Sequence, residues 1–113
     1  MTNLKHERLG NALILKPTRR IDSSSANAFE ADAGALLDEG STLVVIDASD
    51  IDYISSAGIR VILTTAKKAK AAGGGLTIAC AKNAVKEVLE ISGFNIFGLH
   101  ETVEQAMASL GGT

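Results

Sequence analysis

Apolar residues along this chain fall into two alternating kinds of run. One kind is short and unbroken. Residues 12–16, 42–46 and 76–80 are such runs, rich in Val, Ile and Leu, and they predict strands. The run at 42–46 is β-branched and continuous enough for a central strand buried on both faces. The other kind recurs every three or four residues. Phe29, Ala33, Leu36 and Leu37 form one such stripe, and Ile59, Ile62, Leu63 and Ala66 a second. Ala84, Val85, Val88 and Leu89 form a third, and Val103, Ala106, Met107 and Leu110 a fourth. Each stripe predicts a helix with one face turned to a core.

Polar punctuation sets the boundaries. Asp22-Ser23-Ser24-Ser25 is a cluster of capping residues, and Gly40 is a stop, so the first helix spans about residues 24–39. The second helix ends in Lys67, Lys68 and Lys70, which suit the negative end of its dipole, and Gly73-Gly74-Gly75 breaks it. Asn83 caps the third helix and Ser92-Gly93 ends it. Residues 94–99 form a last short strand, Glu101-Thr102 begins the fourth helix, and the tail from Gly111 frays. Residues 4–8 are a weaker, mixed strand. With the turn Gly10-Asn11 they pair as a hairpin with 12–16, which Pro17 stops. Residues 47–55 read as a connection. The order β-β-α-β-α-β-α-β-α implies an α/β fold, a largely parallel sheet covered by helices with one antiparallel edge strand.

Composition narrows this picture. A chain of 113 residues fits a single domain, 1–113. Aromatic residues make up only 4% and Trp is absent, so Val, Ile, Leu and Ala must build the core. The formal net charge is -2, with no run of like charge and few rings to stack on bases, so nucleic acid is not expected as a partner. One cysteine, Cys80, cannot form an internal disulfide and reads as a small buried hydrophobe. The N-terminus lacks the apolar stretch of a signal peptide. No apolar run approaches the roughly 20 residues that span a bilayer. A cytoplasmic setting without membrane insertion is expected.

Candidate chemistry is sparse. Asp47, Asp50 and Asp52 lie beyond a central strand, where α/β proteins place ligands, and could hold Mg²⁺ or simply serve as loop turns and caps. His6 and His100 lie far apart in sequence and have no metal-like partners at close spacing. Gly73-Gly74-Gly75 lacks the Lys-Ser/Thr of a phosphate loop. No cofactor and no metal site are expected. Ser55 and Ser56 are different. They stand where a strand gives way to a helix, beside exposed N–H groups. Either can cap the helix, and either can carry a phosphoryl group favoured by the same dipole. A nucleophile would need a base, and only Asp52 is near in sequence.

The segment Tyr53-Ile54-Ser55-Ser56-Ala57-Gly58-Ile59-Arg60-Val61-Ile62-Leu63 resembles the signature of the STAS-domain anti-sigma factor antagonist (anti-anti-sigma factor) family. Arg20-Ile21-Asp22 is similar to the Gly-x-Leu-Asp element before that family's first helix. Val45-Ile46-Asp47, Ile51-Asp52-Tyr53 and Ile91-Ser92-Gly93-Phe94 resemble further family elements, so nearly the whole chain is covered. The resemblance implies a STAS fold, a small mixed, mostly parallel sheet with about four helices packed mainly on one side. It implies Ser56 as phosphoacceptor, with Ser55 as the rival, and a docking surface of Asp22, Ser55, Ser56, Ala57, Gly58 and Arg60. The implied partners are an anti-sigma factor serine kinase of histidine-kinase-like ATPase type and a serine phosphatase. The domain itself would catalyse nothing. The chain departs from the best-known signature, Asp-Ser-Ser-Gly-Leu-Gly: Ser55 stands for the Asp, Ala57 for the second serine and Arg60 for the last Gly. Arg19, just before Arg20-Ile21-Asp22, stands where the family often has Gly and makes that loop more basic. A STAS regulatory subunit of a lipid-transport ABC transporter would use the same surface without phosphorylation. An enzyme or nucleotide-binding domain built on the aspartate-rich loop is the remaining alternative.

Overall fold

Period-two alternation explains the unbroken apolar strands. In the computed structural model, which describes residues 4–94 and 98–110, strand β2 (Ala12–Leu15) is buried on both faces. Leu13 and Leu15 point to one side, Ala12 and Ile14 to the other. β4 (Leu43–Asp47) and β6 (Gly75–Ala79) repeat the pattern. With β1 (His6–Leu9) and β7 (Leu99–His100) they form a five-stranded sheet in the order β1-β2-β4-β6-β7. β1 pairs antiparallel with β2, as the hairpin expectation requires, and the other pairs are parallel.

The two faces are covered unequally. Leu13, Leu15, Val44, Ile46, Leu76 and Ile78 meet α1 (Ala26–Asp38), α2 (Ser56–Ala71) and α3 (Asn83–Ile91) in the main core. The opposite face offers Ala12, Ile14, Val45 and Ala79, against which α4 (Val103–Ser109) sets Ala106. Three helices thus lie on one side and one on the other. Ala12 and Ala79 on that face and Ala106 on α4 let a short helix sit close.

Several boundaries differ from the sequence expectation. α1 starts at Ala26 because Asp22 closes a turn first: its Oδ1 accepts from Ser24 N–H (3.0 Å) and Ser25 N–H (3.3 Å). Asn83 does not cap α3. It is the helix's first residue, at φ +54°, and Lys82 holds the cap position without a side-chain bond. The predicted strand 94–99 gives way to Leu99–His100, with Phe94 still in a helical turn after α3; residues 95–97, like the tail from Gly111, lie outside the described residues. Two further strands, β3 (Arg19–Ile21) and β5 (Ile51–Ile54), occupy segments read as connections. They pair with each other in parallel, apart from the main sheet, and carry the chain into α1 and α2.

Candidate functional site

The β3–β5 ribbon brings the two halves of the site together. After Ile54 the backbone stays extended at Ser55 (φ -102°, ψ 176°), and Ser55 N–H donates to Ile21 O at 2.9 Å. The bond ties the entrance of α2 to the entrance of α1. Ser55 Oγ then accepts from Gly58 N–H at 3.4 Å, so Ser55 is the N-cap of α2. Gly58 is buried against the same carbonyl: a Cβ there would lie 2.6 Å from Ile21 O and 2.8 Å from Ile21 Cγ2. A glycine is required by this close approach. Gly58 itself is buried beneath the turn.

Ser56 is the first residue of α2 and is exposed. Among the described residues its hydroxyl has no hydrogen-bond partner. The two serines therefore divide the alternatives left open by the sequence: Ser55 caps, and Ser56 presents its Oγ to solvent. Ala57 is half-buried and lines a cleft of about 280 Å³ between α1 and α2, with Ser23, Asn27, Glu30, Arg60 and Thr64. Arg60 is exposed one turn after Ser56, and its guanidinium forms no ion pair among the described residues.

Asp22 stands across the Ile21–Ser55 bond from these residues. Its carboxylate accepts from the Ser24 hydroxyl at 2.7 Å and pairs with Arg20 Nε at 2.9 Å. The Ser24 hydroxyl first, then Arg20, hold its pKa well below the ordinary carboxylate value. Arg20 also lies 4.4 Å from the centroid of the Tyr53 ring. Arg20 and Tyr53 are named from the sequence only as parts of family elements, and their contact is not foreseen there. In Ile51-Asp52-Tyr53-Ile54 the two apolar ends are buried while Asp52 and Tyr53 are exposed, so the segment carries no period-two signal of a strand.

The folded helix also reveals a charge pattern hidden in the linear sequence. α2 carries Arg60, Lys67, Lys68 and Lys70 and no acid at all. All four are exposed, and only Lys68 has an ion pair among the described residues, with Asp38 at 2.8 Å. The chain has no run of like charge, yet this one helix is entirely cationic.

The other candidates sit apart from the site. Asp47 Oδ1 accepts from Ser49 N–H at 3.0 Å, a loop-turn role. No group of three or more metal-ligating side chains occurs among the described residues. Cys80 is half-buried at φ +64° just past β6, and burial followed by nearby Asp47 pushes its thiol pKa up, away from reactivity. His6 contacts Leu4 O just before its strand (2.9 Å), and His100 lies in β7 at the other end of the sheet order. No helix among the described residues is long and apolar enough to cross a membrane.

Residues 3–106 match the model of the STAS domain, which spans both the ribbon and the Ser55–Gly58 turn. The chain belongs to the STAS domain family. Over 90 residues it is 42% identical to BtrV of Bordetella bronchiseptica, named as a candidate anti-sigma factor antagonist; the match covers 79% of this chain and 78% of that one. This relationship puts it among the anti-sigma factor antagonists of the family. The fold is that of TM1081 of Thermotoga maritima, another candidate anti-sigma factor antagonist (TM-score 0.89, 21% identity, 96% and 94% of the two chains covered). It is also that of SpoIIAA in its unphosphorylated form (TM-score 0.82, 15% identity, 96% of each chain). SpoIIAA of Bacillus in its phosphorylated form matches at a TM-score of 0.73 with 15% identity, over 94% of this chain and 97% of that one.

Proposed function

We propose that this STAS domain is a phosphorylation-switched binding module without catalytic activity. Unphosphorylated, the turn before α2 and the exposed face of that helix bind an anti-sigma factor serine kinase of histidine-kinase-like ATPase type, and a sigma factor is released. The kinase then transfers a phosphoryl group to Ser56. Ser56 Oγ attacks the γ-phosphorus of ATP, the bond to the β-γ bridging oxygen breaks, ADP leaves, and the hydroxyl proton passes to the kinase. The product carries roughly -2 charges where the complex had a neutral hydroxyl. Desolvating that phosphate costs several kcal/mol, on the order needed to dissociate a complex. A serine phosphatase restores the hydroxyl. A cytoplasmic setting belongs to the same proposal.

The observation that carries this reading is the separation of roles between the serines. Ser55 Oγ is engaged with Gly58 N–H, while Ser56 Oγ is exposed at the first position of the helix. A kinase needs the second arrangement. The existence of a phosphorylated form of SpoIIAA, a protein of the same fold, is in keeping with it. Incubation with the cognate kinase and ATP followed by peptide mass spectrometry tests it. One phosphate on Ser56 is expected. Modification of Ser55 alone overturns the site, and no modification by any cognate kinase favours the transporter-subunit reading.

A further inference from the structure

Ser56 and Arg60 stand four positions apart on the exposed side of α2. Residues at that spacing are neighbours on a helix surface, with Cβ atoms about 5–6 Å apart. Long side chains in a helix lean towards its N-terminus, so Arg60 reaches in the direction of Ser56. Its guanidinium is without an ion pair among the described residues. The acids around this end of the helix do not take it. Glu30 of α1 lines the same cleft of about 280 Å³ but forms no salt bridge with Arg60. Asp22 pairs with Arg20, Asp52 precedes the turn in β5, and α2 itself has no acid.

We propose that a phosphoryl group on Ser56 is captured by Arg60 as an intrahelical ion pair, which withdraws from the partner the first cation of an all-basic helix. This rests on Ser56 being the acceptor. A guanidinium offers paired N–H donors and a phosphoryl group three acceptor oxygens, so the contact is bidentate. The switch then has two parts. Phosphorylation adds negative charge at the turn, and it removes a positive charge from the face that an acidic partner surface would recognise. Lysine, a point charge without the planar fork, replaces Arg60 only in part.

The test uses the full chain with phosphoserine placed at position 56 by genetic code expansion, so no kinase is involved. ³¹P NMR titration follows the second phosphate ionisation, near pH 6 in an unperturbed phosphoserine. In the wild-type sequence this pKa is expected to lie about 0.15–0.4 below that of Arg60→Gln, as an i,i+4 ion pair implies. Arg60→Lys should fall between them, and Glu30→Gln should lower the value further by removing a negative charge from the shared cleft. Identical titrations in wild type and Arg60→Gln overturn the proposal. Should Arg60→Gln fail to fold, the Arg60 Nε–H resonance of the wild-type chain decides: it must shift and exchange more slowly with water on phosphorylation, and an unchanged signal overturns the capture. A cognate kinase that modifies some other residue would overturn the acceptor assignment while leaving this titration intact, so the two failures are distinguishable.

Discussion

Adjacent serines with the same chemistry have opposite surroundings here, and single substitutions separate them. Ser55→Ala removes the oxygen that accepts from Gly58 N–H. Because that bond is long, at 3.4 Å, the cost should fall near the low end of cap losses, about 0.5–1 kcal/mol. Ser56→Ala removes no protein contact and should change stability by under about 0.5 kcal/mol. Urea denaturation of both variants checks the order, and a larger loss for Ser56→Ala would mean that its hydroxyl caps the helix instead. Asp22 gives a pH signature. Its folded pKa is lowered from 3.8, so its carboxylate contributes stability that is present above about pH 4 and is lost as pH falls through the folded value. Asp22→Asn should therefore show a shallower loss of thermal stability below pH 4 than the wild-type chain, measured in scans from pH 6 downwards. A parallel decline in both proteins would remove the turn carboxylate from the acid response.

Elements were legible in the sequence in proportion to the length of their pattern. All four helices and the strands β2, β4 and β6 carry apolar runs or stripes long enough to establish a period. β3 and β5 do not. Arg19-Arg20-Ile21 has one buried position, and Ile51-Asp52-Tyr53-Ile54 has buried ends around an exposed middle, so neither resembles a strand until paired with the other. Four cap-type residues in a row before α1 likewise could not reveal that Asp22 would close a turn and delay the helix to Ala26. The candidate site was legible mainly through the resemblance around Ser56. The Arg20–Tyr53 contact depended on the unseen ribbon. At this scale α2 itself makes a prediction. A cation near a helix N-terminus is mildly unfavourable, so Arg60 does not stabilise α2 through the dipole. Arg60→Ala should change stability by under about 1 kcal/mol. Its affinity for the kinase should nevertheless fall roughly tenfold, near 1.4 kcal/mol. Calorimetric unfolding and titration of the same variant check both halves; a large stability loss with unchanged affinity would make Arg60 structural.

Across the whole molecule, the sheet separates the site from the C-terminal helix. α1, α2 and α3 share the face whose core is built from Leu13, Leu15, Val44, Ile46, Leu76 and Ile78, and the serine turn belongs to that side. α4 covers the other face through Ala106, which packs with Ala12, Ile14, Val45 and Ala79 and is fully buried. With Ala106 fully buried, a larger side chain there would have to displace its neighbours. Ala106→Leu should force α4 outwards and cost about 1–3 kcal/mol, the range for overpacking a filled core. The docking surface proposed above belongs to the opposite layer, so kinase affinity should stay within about twofold at temperatures where the variant is folded, because distant sites without shared partners act independently. Paired measurements of unfolding and kinase binding test the separation. A variant that remains folded yet loses affinity would show that the sheet transmits packing strain from α4 to the Ser55–Gly58 turn, through the buried strands that both layers share.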